Sequence, residues 1–188
     1  MEHPTVTISS KGGGELRCYC ISTKAALRDS QPVGGQVTIQ EDSDHARIRT
    51  GNLLFDGLYA LAIEEAKANS VAQISDDAYC HGMPVKLDTF QTGESWKYVW
   101  TRDLSYSLHL ALANFDPPRA INSLFFKASE LKDSVKGGLK RQIIQDTGSG
   151  GSYPISTDRV VWALGADETL KNLPVAERRP FGVIAGIS

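Results

Sequence analysis

The chain has 188 residues, 41% hydrophobic and 22% charged, the make-up of a globular chain of one ordinary domain or two small ones. Its net charge of −2 gives no case for a nucleic-acid binder. Lys132, Lys136, Lys140 and Arg141 do cluster, but Glu130, Asp133 and Asp146 sit among them, as on a solvated loop.

No run approaches the roughly 18–20 apolar residues of a membrane span. Glu2, Lys11, Glu15 and Arg17 interrupt the apolar core that a signal peptide needs. The cytoplasm is the default expectation, and a lost signal peptide stays compatible with it. Three cysteines are too few for a disulfide framework. Cys18 and Cys20 lie two apart in an apparent strand, on one face, a poor geometry for bonding to each other. Cys80-His81 has no second ligand pair at useful spacing, so neither metal nor cofactor is expected.

Residues 1–40 read as β. Thr5-Val6-Thr7-Ile8 and Gln36-Val37-Thr38-Ile39 alternate and carry β-branched side chains. Lys11-Gly12-Gly13-Gly14 and Pro32-Val33-Gly34-Gly35 read as turns. Near residue 50 the period changes. Leu54, Leu58, Leu61 and Ala62 predict a helix over 51–67. An irregular stretch then runs to about residue 100. A second helix, 102–114, is apolar nearly all round, which predicts burial on most faces. Pro117-Pro118 suits the first turn of a third helix, 118–131. Val160, Val161, Ala163, Leu164 and Leu170 predict a fourth, 158–172, which Pro174 ends. Arg178-Arg179-Pro180 leads into a tail, Phe181 to Ser188, that is apolar, glycine-containing and patternless.

The connections are unequal. Asn114-Phe115-Asp116 is a tight link, whereas the stretches before the second and fourth helices are long, and long structureless connections tend to be functional. In an antiparallel array they meet at one end, the expected working face. Thr101-Arg102-Asp103 and Ser156-Thr157-Asp158-Arg159 each offer a capping hydroxyl and an acid in a first turn. Composition alone reads these equally as helix starts or as a site. Thr147-Gly148-Ser149-Gly150-Gly151-Ser152 lacks the Gly-Lys-Ser/Thr ending of a nucleotide-binding loop.

Two of the three tryptophans crowd one loop-to-helix entry, with Trp96, Tyr98 and Trp100 beside Arg102 and Asp103. Aromatic faces suit sugar rings, and Arg donors and Asp acceptors suit their hydroxyl rims. The same tryptophans could instead anchor a long loop in the core. Trp96, with Trp100-Thr101-Arg102-Asp103, resembles the aromatic-x3-Trp-Thr-Arg-Asp motif of glucoamylases and related six-hairpin glycosidases. Trp96 stands where those enzymes commonly carry Tyr. The segment from Thr147 to Pro154, followed by Thr157-Asp158-Arg159, is similar to the Gly-Ser-Trp segment before a later helix of that family, with Tyr153 in place of the Trp. The two motifs cover roughly residues 50–172.

The resemblance implies a mainly α fold, a partial (α/α)6 barrel of helical hairpins preceded by a short β region. Residues 1–49 form its β-rich N-terminal segment and 50–188 its partial six-hairpin domain. It implies a glycoside-hydrolase-like protein of carbohydrate metabolism that acts on or binds α-glucoside oligosaccharides or a polysaccharide. Trp96, Trp100, Arg102, Asp103, Tyr153 and Asp158 are its substrate-binding residues. Glycoside hydrolysis normally needs two carboxyl groups flanking the bond, and in the family they come from later hairpins. Asp146 and Glu94 are the remaining local candidates, and neither matches a catalytic motif. Turnover is therefore undecided; an active chain would be an O-glycosyl hydrolase of the glucoamylase or debranching type. Four helices against the family's twelve predict a truncated chain, whose exposed helix faces favour self-association. A non-catalytic carbohydrate-binding fragment and a helical interaction module are the alternatives.

Overall fold

The computed structural model describes residues 6–11, 15–23, 35–77, 79–128, 143 and 158–186. Contacts divide the chain into two units, residues 1–67 and 68–188.

In the first unit, strands β1 (Val6–Lys11), β2 (Cys18–Thr23) and β3 (Gln36–Gln40) form an antiparallel sheet in that order. The register pairs Ile8 with Ile21 and Tyr19 with Ile39. These side chains therefore share one face, and Cys18 and Cys20 share the other. Helix α1 (Leu53–Ala68) starts at Asn52, whose Oδ1 accepts the Phe55 N–H at 3.2 Å, an ordinary asparagine cap. Its Ala60, Leu53 and Leu61 join Ile8, Tyr19, Ile21 and Ile39 in one cluster. Gly57 permits the close approach. A Cβ there would run into Ile8 Cδ1 and come within 3.2 Å of Tyr19 Cδ1. Contacts thus group α1 with the strands, although the sequence pattern changes at residue 50.

The second unit corrects the expected fold class. Strands β4 (Ser70–Ile74) and β5 (Val85–Phe90) form an antiparallel hairpin in the stretch expected to be irregular, with a bulge between Val71 and Gln73. With two sheets, and about 50% helix against 23% strand, the protein is mixed rather than a mainly α partial (α/α)6 barrel. The physical cause is local. Val85-Lys86-Leu87-Asp88 alternates with period 2, the signature of a half-buried strand, and Thr89 and Phe90 end it with two buried residues in a row.

Four helices follow: α2 (residues 101–115), α3 (Pro117–Lys127), α4 (Asp158–Asn172) and α5 (Val175–Ala185). Asp116 caps α3 by accepting the Arg119 N–H at 3.0 Å, with Pro117 and Pro118 in the first turn. Arg119 also donates to the Val71 carbonyl at 2.6 Å and the Thr89 carbonyl at 3.3 Å, so it ties α3 to both strands of the hairpin. Phe90 N–H donates to Ser123 Oγ at 2.9 Å, a second tie. Helix α5 replaces the patternless tail. Its Phe181 is buried and meets Phe125 with ring centroids 5.8 Å apart. Pro180 lies inside it, which disguises it as a breaker in the sequence.

Helices α2 and α4 run parallel. Gly165 faces Ser105 and Leu108, while Glu168 faces His109 at 3.5 Å. Their first turns therefore lie at the same end. Trp162 Nε1 donates to the Leu124 carbonyl at 3.0 Å, which locks α4 to α3. Leu104, Leu108, Leu124, Phe126, Trp162, Ala166 and Phe181 belong to the core. Burial of α2 on most faces does not hold: Leu110 is 79% exposed. It lies in a π-helical turn, Leu108–Leu112, and the extra residue of such a turn rotates the following side chains off their expected face. No helix among the described residues is long and apolar enough to cross a membrane.

Candidate functional site

The loop between β5 and α2 is built by its backbone. Thr92 N–H donates to the Tyr98 carbonyl at 2.8 Å, and Gly93 and Trp96 exchange hydrogen bonds of 3.2 and 3.1 Å. Glu94 and Ser95 fall at the tip of this turn, and both are exposed. Val99 is fully buried and pins the return leg. The Trp100 N–H then donates to Thr92 Oγ1 at 3.1 Å, and its carbonyl accepts the Leu104 N–H at 2.9 Å, which opens α2.

That closure brings the two indoles together. The ring centroids of Trp96 and Trp100 lie 5.1 Å apart at an interplanar angle of 37°, a tilted contact of ordinary aromatic geometry. Trp96 is 50% exposed, so it presents ring surface to solvent. Trp100 is half-buried behind it. The pair is not sealed into the core, and the anchor reading applies to Val99 instead.

Helix α2 divides its first turns cleanly. Thr101, Leu104, Ser105 and Leu108 face the core. Arg102 is exposed and Asp103 half-buried on the other side. The cap position is Trp100, which gives its helix no side-chain hydrogen bond, so the expectation that Thr101 caps is corrected: Thr101 is the first helical residue and is buried. Asp103 lies in the first turn, where a carboxylate is favoured by the exposed N–H groups.

Trp96, Trp100, Arg102 and Asp103 thus lie within one turn-and-helix entry. Glu94 sits at the tip of the turn, and no hydrogen bond joins it to Asp103. Asp146 and Tyr153 lie outside the described residues. Asp158 is the first residue of α4, and its side chain lies outside the description.

Thr92 and Gly93 are the site residues that the sequence reading missed. The alternation of Val85–Asp88, with a Thr-Gly pair at 92–93 shortly after it, is the signal that could have found them, since it marks a strand running into a turn.

A concavity lies elsewhere, in the first unit, between the end of β3 and α1, lined by Ile39, Asp42, His45, Tyr59 and Ile63 among others. It encloses about 10 Å³, room for one water and far too little for a sugar ring. Its polar wall is a structural knot. Asp42 accepts from Lys67 Nζ at 2.8 Å, pairs with His45 Nδ1 at 2.7 Å, and takes the N–H groups of Asp44 and His45 at 3.0 Å each. The Lys67 ammonium, and after it His45, holds the Asp42 carboxyl well below the usual range. An acid so fully engaged is a poor proton carrier at neutral pH.

The chain was compared with protein-family models, curated proteins and solved structures, and none matches it.

Proposed function

We propose that this is a glycoside-hydrolase-like protein that binds or acts on α-glucoside oligosaccharides at the entry to α2. Trp96 and Trp100 form the platform for a sugar ring, and Arg102 and Asp103 hold its hydroxyls. The observation that carries the reading is the half-exposed, tilted indole pair set directly before a first turn with an outward Arg and Asp. A pyranose offers an apolar face and a polar rim, and this arrangement offers a partner to each. Among the described residues Asp103 makes no hydrogen bond or ion pair, so its acceptors are open to hydroxyl groups. Its role here is that of a hydroxyl acceptor. Two carboxyl groups flanking the scissile bond are the requirement for turnover, and Glu94 and Asp146 are the local candidates for one of them.

Intrinsic fluorescence tests the proposal. Trp162 is buried at 4% exposure and hydrogen-bonded, so it supplies a constant background against which Trp96 and Trp100 report. Maltooligosaccharides are expected to quench saturably. Trp96→Ala should weaken binding by about tenfold or more, as truncation of an aromatic anchor does. Product release by the unaltered chain that is lost in Asp103→Asn would extend the reading from binding to turnover. Hydrolysis indifferent to changes at Arg102 and Asp103 would sink the site assignment, and a broad sugar panel with no quenching would sink the function.

A further inference from the structure

We infer that Thr92 is the positioning residue of this site: it sets Trp100 beneath Trp96 and keeps Asp103 free of the helix cap. It rests on the sugar-site reading for its ligand, but its structural half stands apart from any ligand.

Helix α2 has an unusual start. Its cap residue is a tryptophan, which has no acceptor to offer the helix. Counting from that cap, Asp103 occupies the third helical position, from which an acidic side chain commonly reaches back to the N–H of the cap residue. Here it does not. The Trp100 N–H is already taken by Thr92 Oγ1 at 3.1 Å, and Asp103 has no partner among the described residues. A hydroxyl eight positions upstream has displaced the reciprocal cap, and the carboxylate is left half-buried and unengaged.

Thr92 can do this because the β hairpin delivers it. β5 ends at Phe90, and the Gln91 N–H adds one more bond, to the Asn69 carbonyl at 2.9 Å. Thr92 comes next, with its own N–H fixed on the Tyr98 carbonyl at 2.8 Å. Its backbone therefore closes the loop that carries Trp96, while its side chain holds the helix start that carries Trp100. One residue sets both indoles, and their separation of 5.1 Å is a consequence of its two bonds.

The test compares Thr92→Val, which keeps the shape and removes the acceptor, with Thr92→Ser, which keeps the acceptor. Two indoles this close give an exciton couplet in circular dichroism, and Trp96→Phe identifies it by abolishing it. The couplet should be lost in Thr92→Val and retained in Thr92→Ser, and maltooligosaccharide affinity should fall by roughly three- to tenfold in the Val variant alone. With Thr92→Val, Asp103 is expected to turn inward and cap Trp100. Asp103→Ala should then lower the folding equilibrium constant by about fivefold in that background and much less in the unaltered chain. A Val variant with the couplet and affinity of the unaltered chain overturns the proposal. If Thr92→Val does not fold, amide exchange of the unaltered chain decides: a Trp100 N–H exchanging as fast as the exposed turn at Glu94 and Ser95 overturns it as well. A chain that binds no sugar, yet loses its couplet in the Val variant only, refutes the sugar reading and leaves the positioning role supported.

Discussion

Glu41, just beyond β3, is 8% exposed and takes donors from three directions. Arg49 reaches it twice, Nη1 to Oε1 at 2.7 Å and Nη2 to Oε2 at 2.6 Å. The Arg17 N–H adds a bond of 2.8 Å and Tyr19 Oη one of 3.2 Å. A two-pronged guanidinium–carboxylate pair is strong because both planes match, and only Arg can make it. The side chain joins the sheet to the segment before α1, since Arg49 also donates to the Glu15 carbonyl at 2.9 Å. Glu41→Gln keeps the size and loses the charge, and the amide nitrogen would face a guanidinium that can only donate. The variant should lower the stability of the first unit by about 2 kcal/mol, the usual worth of hydrogen bonds to a charged group. Urea midpoints measure it, and a midpoint shift equivalent to less than about 0.5 kcal/mol, the scatter of neutral surface changes, would show that the pair is ornamental.

At the scale of elements, the crossing of α2 and α4 sets the order of the second unit. Gly165 sits where a Cβ would lie 3.0 Å from Ser105 Cα and 3.3 Å from its carbonyl oxygen. Both atoms are backbone, so the helices would have to part to make room. Gly165→Val should cost about 1–3 kcal/mol by overpacking. Exposed Ala163→Val, two residues earlier on the same helix, carries only the propensity cost of about 0.5 kcal/mol. Equal losses at the two positions would mean that the crossing is loose. None of this contact was visible beforehand, because a glycine inside a helical pattern reads as a weakness until the partner helix is known. What was legible was local: the helical spacing of Leu54, Leu58 and Leu61 marked α1, Pro117-Pro118 marked α3, and the apolar residues from Val160 to Leu170 marked α4. The faces were not legible, since Leu54, Leu58 and Val160 are exposed and α1 buries Gly57 and Ala60 instead. The hairpin was missed although Val85–Asp88 alternates, because its strands are short and β4 follows α1 with only Asn69 between them. Helix α5 was missed because Pro180 and Gly182 look like breakers. The candidate site divides in the same way. Trp96, Trp100, Arg102 and Asp103 are contiguous enough to read as a group. Thr92 acts only through the return of the loop, a tertiary relation that no spacing encodes.

On the scale of the whole molecule, the charges make acid act unevenly. Glu41, Asp42 and Asp56 all titrate below their ordinary values. For Glu41 the main cause is the Arg49 guanidinium, for Asp42 the Lys67 ammonium, and for Asp56 the Thr50 N–H, which it accepts at 2.9 Å. All three lie in residues 1–67. A carboxyl whose folded pKa is depressed stabilises the fold at every pH above its unfolded value and ceases to do so as the pH falls through the folded one. Unfolded carboxyls titrate near pH 4, so the first unit should hold its stability down to about pH 5 and lose it progressively below about pH 4. Lys67 works in the opposite direction. Its hydrogen bonds to Asp42 and Glu64 raise its pKa, so its contribution is complete below its unfolded value near 10.4 and is lost as alkali takes the pH through the raised one. Amide exchange followed residue by residue between pH 6 and pH 3, corrected for intrinsic rates, separates the two units. Residues 15–23 and 35–67 should lose protection steeply on the acid side. Glu41→Gln should flatten that loss, because a neutral amide has no proton to take up. An acid limb just as steep in the variant would show that Glu41 does not drive the transition and would shift the weight to Asp42 and Asp56, whose partners Lys67 and Thr50 could then be tested in the same way.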